Sequence, residues 1–471
     1  MFLPLRITKP LHFIGIGGAG MSGIAMVLSD RGFIITGSDI ADKQTLQLLR
    51  QKGIRIFRHQ SASTIRAITS GIQDTPTVVI STAVSDKNPE LIAARQAGLE
   101  IVHRSDVLSG LVNQQTSIGI AGSHGKTTTS TLITILLSKA NYDPTSIIGG
   151  MLPAVGLNGQ SGKGSLLVAE VDESDGSVIK FRAQLGVITN LELDHTDYYS
   201  SFHYLILTLQ NFANSCKRIL ANRDCPSLRD YFKADAWWSN NSTQGVKFAG
   251  LPILLNGNHS LVDFYEDGNL VCRFEIPLPG IHNLSNVTAA IASCRLHGIR
   301  LEELTSYFQE LRPPGRRFEY CGNWEGRIIV DDYAHHPSEI KATLDMARLI
   351  IGSNCSPFSD SPLRLIAIFQ PHRYSRTAEF LESFATALSS ADQILLAPVY
   401  SAGESPIPGV SSAILGGIIE SIKPNLVTLV AKDYEQLIQH IKTFTQPGDL
   451  LLTMGAGDLN YQICCQLFKN T

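Results

Sequence analysis

Residues 118–129 read IGIAGSHGKTTT, and this stretch decides the class of fold. An apolar strand enters a glycine loop, and a lysine with three threonines opens a helix. A standard phosphate-binding loop (P-loop) reads G-x-x-x-x-G-K-[ST], a pattern that would require a glycine at Ile120. We assign Ile120 to the strand and predict a shorter loop. The backbone amides at Gly122 and Gly125 and the side chain of Lys126 still suit nucleotide phosphates, and the hydroxyl of Thr127 suits Mg²⁺. The stretch therefore predicts an ATP site.

A second glycine loop stands near the start of the chain, where residues 15–20 read GIGGAG. It follows the apolar run LHFI, opens the helical pattern MSGIAMVLSDRG, and precedes a strand that ends at Asp39, 19 residues after Gly20. These are the elements of a dinucleotide-binding fingerprint. Three interpretations fit it: an NAD site, glycines that serve only tight helix packing, or another nucleotide diphosphate at the same helix N-terminus. An enzyme that transfers hydride does not need a lysine–threonine loop. The two loops together therefore favour one site for ATP and another for a second nucleotide diphosphate.

Apolar runs of strand length alternate with helix-sized segments along most of the chain. Examples are TVVIST, SIGIAG, LLVAEVDE, RLIAIFQPH and DLLLTMGAGD. Runs that are apolar on both faces predict parallel sheets covered by helices, and their polar carboxyl ends predict ligand sites at that edge. The expected fold class is therefore α/β. Residues 222–275 mix short strand-like runs with turns and give no clear assignment.

The number of domains follows from the length and from three breaks in pattern. A chain of 471 residues exceeds what one hydrophobic core usually organises. The two glycine loops open two blocks, and a third follows LRPPGRRFE, where Pro313, Pro314 and Gly315 continue neither a helix nor a strand. We predict three domains with the bounds 1–111, 112–313 and 314–471.

Composition excludes several classes of partner. A formal charge of -3 at pH 7 and a pI near 6.5 leave no basic surplus for nucleic acid or an anionic membrane, so small molecules are the expected partners. The eight cysteines contain no C-x-x-C pair, which favours a reduced setting. No apolar run reaches the roughly 18 residues of a membrane span, and the N-terminus lacks the pattern of a signal peptide. A cytoplasmic location is therefore expected.

Acidic residues follow two further predicted strands. After LLVAEV come Asp172, Glu173 and Asp175, and after LGVITNLEL come Asp194, His195 and Asp197. Seen alone, such clusters are more often solvated turns or helix caps, and a lone histidine is usually a packing or capping residue. Beside a P-loop, carboxylates at neighbouring strand ends are the expected partners of an Mg²⁺ ion that also binds the threonine hydroxyl. These clusters are therefore candidates for the metal site.

Ten motifs occur in a fixed order along the chain: HFIGIGGAGMSGIA, GSD, GSHGKTTT, EVDESDGS, TNLELDHTD, GIHNLSNVTAA, PGRRFE, DDYAHHPSEI, FQPHRYSRT and TMGAGD. With these motifs the chain resembles the Mur ligase family over essentially its whole length. It departs mildly from the family pattern at Ser123, where threonine is usual, and at Leu193, where proline or alanine is frequent. The resemblance implies a Rossmann-like N-terminal domain for a UDP-sugar, a central P-loop ATPase domain with a mainly parallel sheet, and a Rossmann-like C-terminal domain for an amino acid.

The resemblance implies roles for residues of the first two domains. The first glycine loop then holds UDP rather than NAD. The diphosphate lies against Gly17, Gly18, Ala19 and Gly20, and the uridine side against Ser38 and Asp39. ATP is bound by Gly122, Ser123, His124, Gly125, Lys126, Thr127 and Thr128. The Mg²⁺ neighbourhood consists of Thr127, Glu173 and His195.

The later motifs complete the implied site. The adenine side matches His282, Asn283 and Asn286, which without the resemblance would be interpreted as a polar helix cap. The residues that close over the nucleotide are Arg317, Asp332, Tyr333 and His335. The carboxylate of the amino acid is assigned to His372, Arg373 and Arg376, a group that otherwise indicates only a solvated helix start. The implied catalytic set is Lys126, Glu173, His195, Arg317 and His335.

Within the family, GIGGAGMSG favours the members that join L-alanine to UDP-N-acetylmuramate, with ATP and Mg²⁺ as cofactors. The implied reaction phosphorylates the lactyl carboxylate, and the amine of L-alanine then attacks the acyl phosphate. Lys126, Arg317 and Mg²⁺ would offset the repulsion between two anions. Two other classes remain open, an NAD-linked oxidoreductase and a non-catalytic ATP-gated switch. An oxidoreductase should lack the lysine–threonine loop, and an ATP-gated switch would need no amino-acid pocket.

Overall fold

The computed structural model of the protein describes residues 9–41, 44–70, 74–353 and 355–468. Within them, three separate β-sheets follow one another along the chain and are interleaved with helices. The sheets contain five, ten and six strands, and most neighbouring strands are parallel. The predicted α/β fold class with three such modules is confirmed.

The first sheet is wholly parallel and has the order β3-β2-β1-β4-β5. Its strands are β1 (Leu11–Ile14), β2 (Ile35–Ser38), β3 (Arg55–Phe57), β4 (Thr77–Ile80) and β5 (Ile101–His103). Its helices are α1 (Ala19–Asp30), α2 (Gln44–Gln51), α3 (Ala62–Thr69), α4 (Pro89–Gln96) and α5 (Arg104–Asn113). The order reverses between β1 and β4, so a crevice opens at their carboxyl ends, where the first glycine loop lies.

The central sheet has the order β15-β14-β13-β12-β11-β10-β6-β9-β7-β8. Its strands are β6 (Thr116–Ala121), β7 (Thr145–Ile147), β8 (Gly159–Gln160), β9 (Leu166–Glu170), β10 (Leu185–Ile188), β11 (Ile219–Asn222), β12 (Ala236–Ser239), β13 (Phe248–Leu255), β14 (Ser260–Glu266) and β15 (Asn269–Ile276). The helices are α6 (Lys126–Lys139), α7 (Phe202–Ser215), α8 (Pro226–Tyr231), α9 (Ile281–Leu296) and α10 (Glu302–Thr305). Two short 3-10 helices lie at Ser177–Lys180 and Phe308–Glu310. The segment without a clear assignment forms the antiparallel extension β13–β15 of this sheet.

The third sheet has the order β16-β17-β21-β18-β19-β20, and only its edge strand β16 is antiparallel. The strands are β16 (Glu319–Trp324), β17 (Arg327–Asp332), β18 (Arg364–Phe369), β19 (Gln393–Leu396), β20 (Val427–Val430) and β21 (Asp449–Met454). The helices are α11 (Pro337–Gly352), α12 (Tyr374–Leu388), α13 (Ser412–Ile422), α14 (Tyr434–Phe444) and α15 (Leu459–Leu467). Two apolar clusters of the C-terminal module are centred on this sheet.

The first two modules are packed into one continuous apolar core, which includes residues of β1, α1, β7 and α7. Their backbones approach closely where α1 meets β8. A Cβ atom at Gly23 would lie 2.7 Å from the Asn158 carbonyl oxygen, and one at Gly159 would lie 2.6 Å from the Gly23 carbonyl oxygen. Glycine is therefore required on both sides of this contact. None of the described helices is long and apolar enough to cross a membrane.

Candidate active site

The P-loop joins β6 to α6 at the middle of the central sheet, and Ile120 lies in the strand as expected. Gly122 has φ +120° and Gly125 has φ +79°, a region that favours glycine. A Cβ atom at Gly122 would lie 2.4 Å from the Thr189 hydroxyl, and one at Gly125 would lie 2.6 Å from the Asn286 amide oxygen. The loop thus presents bare backbone at a helix N-terminus, where anions bind.

The side chain of Lys126 contacts the backbone of the P-loop and a neighbouring carboxylate. Its Nζ donates hydrogen bonds to the carbonyl oxygens of Gly122 at 2.6 Å and Ser123 at 3.1 Å, and to Glu173 Oε1 at 2.8 Å. Burial opposes the charge, but Glu173, Asp172 and the more distant Glu170 raise the pKa of Lys126 above its usual range. The lysine is therefore cationic where a triphosphate would lie.

Glu170 lies beside Thr127 of the P-loop, and no sequence pattern identified it as a site residue. Glu170 ends β9, the strand beside β6, and its Oε1 accepts a hydrogen bond from the Thr127 hydroxyl at 3.1 Å. Its Oε2 accepts from the Gly149 amide at 2.7 Å. The only signal in the sequence is a glutamate at the end of LLVAE. Glu170 is thus a further candidate ligand for a cation at Thr127.

The other two residues predicted to lie near the metal are Glu173 and His195. Glu173 is fully buried, burial raises its pKa, and its Oε2 has no hydrogen-bond partner among the described residues. His195 Nε2 lies 3.7 Å from Glu173 Oε1, and His195 has φ +53°. The unpartnered Oε2 of Glu173 and the pair of Glu170 with the Thr127 hydroxyl offer the hard oxygen ligands that Mg²⁺ prefers.

The three modules meet around a cavity of about 460 Å³. Eleven of the residues to which the resemblance assigns a role line it, namely Gly17, Ala19, Ser123, His124, Gly125, Lys126, Thr127, His195, Arg317, Tyr333 and His335. Arg316 and Arg317 both lie over the Tyr333 ring, with Cζ 5.0 and 5.5 Å from its centroid. Burial opposes the Arg317 charge, but Glu339 and Asp332 raise its pKa. Both glycine loops therefore open onto one space, whose lining combines three basic side chains with four carboxylates, Glu170, Asp172, Asp194 and Glu339.

A second cavity of about 270 Å³ extends from the P-loop between α9 and α11. It is lined by the predicted nucleotide residues Thr128, His282, Asn283, Asn286 and Asp332. Burial and the charge of Arg317 lower the pKa of His282 to about 4, so its ring is neutral at pH 7. Burial raises the pKa of Asp332 to about 6, although Arg317 opposes this shift. The amides of Asn283 and Asn286, the neutral ring of His282 and the thioether of Met346 suit a base, and charged side chains such as Arg317 and Glu339 also line the cavity.

A third cavity of about 350 Å³ lies over the first glycine loop and is lined by Gly18, Ala19 and Gly20. Arg104, which no motif indicated, also lines it and pairs with Asp172 at 2.7 Å. This arginine starts α5, and a Cβ atom at Gly20 would lie 2.8 Å from its Nη1. A guanidinium this close to exposed backbone amides suits an anionic group.

Ser38 and Asp39 lie outside the three cavities. The Asp39 carboxylate accepts hydrogen bonds from the amides of Gly17 and Ala41, both at 2.9 Å. The bond from Gly17 holds the first glycine loop in position. The buried Ser38 hydroxyl donates to Glu90 at 2.5 Å. Both side chains are engaged within the domain, and their contact with uridine stays a prediction.

The predicted amino-acid residues lie where the third module contacts the central one. Arg376 is buried and donates to Asp194 Oδ1 through Nε at 3.2 Å and Nη2 at 2.7 Å, while Arg373 donates to Asp197 at 2.5 Å. The His372 ring stacks on Tyr400, and burial and the two arginines lower its pKa to about 4. None of the three lines the cavities described above.

His335 and the unpredicted Glu339 connect the C-terminal module to the central cavity. The amide of His335 donates to Glu339 Oε2 at 3.1 Å, and its Nδ1 lies 2.9 Å from the Tyr333 carbonyl oxygen. Burial lowers the pKa of His335 to about 3. Burial disfavours ionisation of Glu339, but the charges of His124 and Arg317 hold its pKa well below the usual range. The ring is therefore neutral and the carboxylate ionised at pH 7.

This combination of a P-loop domain between two Rossmann-like modules is the architecture of an ATP-dependent ligase, and comparison with family models agrees. The models for the Mur ligase family catalytic domain, the Mur ligase middle domain and the Mur ligase glutamate ligase domain match residues 10–116, 120–294 and 316–457. The chain therefore belongs to the Mur ligase family.

Two curated relatives are UDP-N-acetylmuramate--L-alanine ligases. That of Prochlorococcus marinus (strain MIT 9303) is 54% identical over 98% of this chain and 95% of its own length. That of Parasynechococcus marenigrum (strain WH8102) is 55% identical over 98% of both chains. Among solved structures, the UDP-N-acetylmuramate-alanine ligase MurC of Thermotoga maritima shares the fold, with a TM-score of 0.80, 24% identity, and coverage of 98% of this chain and 100% of its own.

Proposed function

We propose that the protein joins L-alanine to the lactyl carboxylate of UDP-N-acetylmuramate, converts ATP to ADP and phosphate, and acts in cytoplasmic synthesis of peptidoglycan precursors. One observation carries this proposal: Gly17 and Ala19 of the first glycine loop and Lys126 of the P-loop line the same cavity. A sugar nucleotide on one loop and ATP on the other would therefore bring their reacting ends together. The two curated relatives, which cover nearly the whole chain, support the choice of substrates.

The first step brings two anions together, so the site must supply positive charge. A carboxylate attacks the terminal phosphate of ATP, and the transition state spreads negative charge over the transferring group. Lys126 of the central module and Arg317 of the third module are two of the cations that line the cavity. Mg²⁺ held at Thr127 and the neighbouring carboxylates would supply further charge stabilisation. Positioned cations in a space shielded from water are the main source of catalysis in such a transfer.

The second step is attack of the alanine amine on the acyl phosphate. The buried ring of His335 is neutral at pH 7, so it offers a hydrogen bond without repelling an ammonium group. Arg373, which pairs with Asp197, and Arg376, which pairs with Asp194, are the proposed partners of the alanine carboxylate. To bind it, the arginines would exchange contacts with aspartates for contacts with the substrate.

A phosphate-release assay tests this function. We expect phosphate release that requires UDP-N-acetylmuramate, ATP, Mg²⁺ and L-alanine together, with glycine and L-serine as poorer acceptors. The product is UDP-N-acetylmuramoyl-alanine, which mass spectrometry identifies. Phosphate release that is independent of the sugar nucleotide, or a preference for a tripeptide over L-alanine, would contradict the proposal.

A further inference from the structure

Three potential metal ligands converge where the central module meets α11, and we call them the interdomain histidine cluster: His124, Glu192 and His336. His124 lies in the P-loop, Glu192 follows β10, and His336 caps the N-terminus of α11. One ligand atom from each lies within 4.8 Å of the other two. His124 Nε2 is 3.5 Å and His336 Nδ1 is 3.8 Å from Glu192 Oε2. Two protein modules thus contribute to one small group of donors.

The second nitrogen of each imidazole is held by a separate partner. His336 Nε2 lies 3.2 Å from the Leu193 carbonyl oxygen, which only accepts, so Nε2 carries the proton and Nδ1 presents a lone pair. His124 Nδ1 lies 3.4 Å from Glu339 Oε1. Metal-binding histidines characteristically direct their other ring nitrogen to a carbonyl or a carboxylate, which orients the ring. Both rings of the cluster have this arrangement.

The atoms that face the centre of the cluster lack a strong partner of their own. His124 Nε2 is buried and forms no hydrogen bond with the described residues. The lone pair of His336 Nδ1 accepts only a long bond of 3.4 Å from the Ser338 amide and points toward a carboxylate oxygen. The Ser338 hydroxyl also donates to Glu192 Oε2, leaving lone pairs of that carboxylate available. Once His124 Nε2 has lost its proton, lone pairs of all three side chains face one another, and a cation between them would stabilise this arrangement.

The dimensions of the cluster suit a small tetrahedral ion. Ligands bonded to Zn²⁺ at about 2.0–2.1 Å in a tetrahedron lie roughly 3.3 Å apart. Two of the three separations here are 3.5 and 3.8 Å, so small side-chain movements complete the geometry. Two imidazoles and a carboxylate are the donors of many zinc sites, whereas the oxygen donors at Thr127 and Glu170 suit Mg²⁺. The cluster is therefore chemically distinct from the site proposed for Mg²⁺.

We propose that His124, Glu192 and His336 bind one Zn²⁺ ion, with water in the fourth position, and that this ion links the P-loop to α11. The ion replaces the proton that His124 carries. His124 lies between two carboxylates, with Nε2 3.5 Å from Glu192 and Nδ1 3.4 Å from Glu339, so this position suits a cation. Because the ligands come from two modules, the site is complete only when the two are in contact. The proposal does not depend on the identity of the substrates.

Competition with a fluorescent zinc indicator tests this site in the metal-free, full-length protein. We expect one equivalent of Zn²⁺ to bind with micromolar or tighter affinity, and millimolar Mg²⁺ not to displace it. Glu192→Gln and His336→Ala should each weaken binding at least tenfold. His203→Ala, which removes an exposed histidine of α7, is the matched control and should leave the affinity unchanged.

A spectroscopic measurement keeps the test independent of folding defects. Co²⁺ bound by two histidines, a carboxylate and water should give the visible bands of a tetrahedral site, and Glu192→Gln should remove them while melting curves show an intact fold. Equal Zn²⁺ affinity in wild type, Glu192→Gln and His336→Ala would overturn the proposal, as would the absence of stoichiometric binding. Failure of the ligase assay alone would leave it standing, because Zn²⁺ binding requires neither ATP nor a sugar.

Discussion

At the scale of single residues, Lys126 is the side chain on which phosphoryl transfer most depends. We expect Lys126→Ala to lower kcat by about 10²–10³-fold, because the variant removes a positioned cation from a buried site. Binding of UDP-N-acetylmuramate should change little, because the first glycine loop belongs to another module. Calorimetric titration of the sugar nucleotide and a phosphate-release assay measure the two effects separately.

The matched control is Lys139→Ala, at the other end of α6. Lys139 is about half exposed and pairs with Glu310, and an exposed ion pair contributes little to stability. Its removal should leave both sugar binding and turnover near wild-type values. If Lys126→Ala loses sugar binding in proportion to turnover, the two loops do not serve separate nucleotides.

Arg376 has two possible partners, Asp194 in the structure and the alanine carboxylate in the proposed complex. Loss of a charge-assisted pair with alanine costs roughly 1.5–3 kcal/mol, so Arg376→Ala should raise the KM for L-alanine about 10- to 150-fold. The acyl phosphate forms before alanine reacts, and borohydride should still trap it as reduced sugar product at near wild-type yield. A variant that binds alanine normally and forms no acyl phosphate would place Arg376 at the phosphate instead.

The ion pairs of His124 predict a dependence of stability on pH. The pKa of His124 rises from 6.5 to about 9 on folding because Glu192 and Glu339 outweigh the effect of burial. A raised pKa stabilises the folded protein fully below about pH 6.5, and this contribution is lost as the pH rises through about 9.

The measurement is the difference in Tm between wild type and His124→Asn across that range of pH, in metal-free buffer. We expect wild type to melt about 2–4 °C higher near pH 6 and the difference to shrink above about pH 9. His203→Asn serves as the exposed control. A difference in Tm that stays constant from pH 6 to pH 10 would show that the charge on His124 does not stabilise the fold.

At the scale of elements, the turn from β6 into α6 depends on backbone that has no side chain. Gly122→Ala places a methyl group 2.4 Å from the Thr189 hydroxyl, at φ +120°. We expect it to raise the KM for ATP at least tenfold and to destabilise the protein by about 1–3 kcal/mol. ATP kinetics and chemical denaturation measure these effects.

The control substitution for Gly122→Ala is Gly417→Ala, in α13. Gly417 is exposed, and nothing lies within 4 Å of an added Cβ atom. Alanine should therefore stabilise this helix by about 0.5–1 kcal/mol and leave ATP kinetics unchanged. Equal effects of the two substitutions would argue that Gly122 has no special conformation.

The same scale shows why some elements were predictable and others were not. Strands such as β6, β9 and β18 are short, largely apolar runs, and the structure contains each of them. The antiparallel strands β13–β15 had no clear assignment because Gly250 and Pro252 interrupt β13, while β14 and β15 mix polar with apolar residues and most of β15 is exposed. Their order in the sheet depends on pairing between strands, which a local pattern does not contain.

About half of the residues around the central cavity were identified from motifs, whereas several of their partners were not. Glu170 meets Thr127 because β9 lies beside β6, and Arg104 meets Asp172 because the first two modules share a core. Glu339 reaches His124 only when α11 lies against the P-loop. Such contacts arise from packing between distant segments, so a single sequence does not reveal them.

At the scale of the whole molecule, two interfaces of different character surround the site. The first and central modules share an apolar core, whereas polar contacts such as Arg376 with Asp194 join the third to the central one. A polar interface permits relative motion of modules more readily than an apolar one. The structure therefore combines a rigid platform carrying both glycine loops with a third module that completes the site.

The most direct test of this account follows oxygen atoms through the reaction. UDP-N-acetylmuramate labelled with ¹⁸O in both oxygens of its lactyl carboxylate is incubated with the protein, ATP, Mg²⁺ and L-alanine. If the carboxylate attacks ATP at the shared cavity, mass spectrometry should find one ¹⁸O atom in each phosphate released. Phosphate without label, or label that appears in AMP, would contradict activation through an acyl phosphate and with it the role proposed for the two loops.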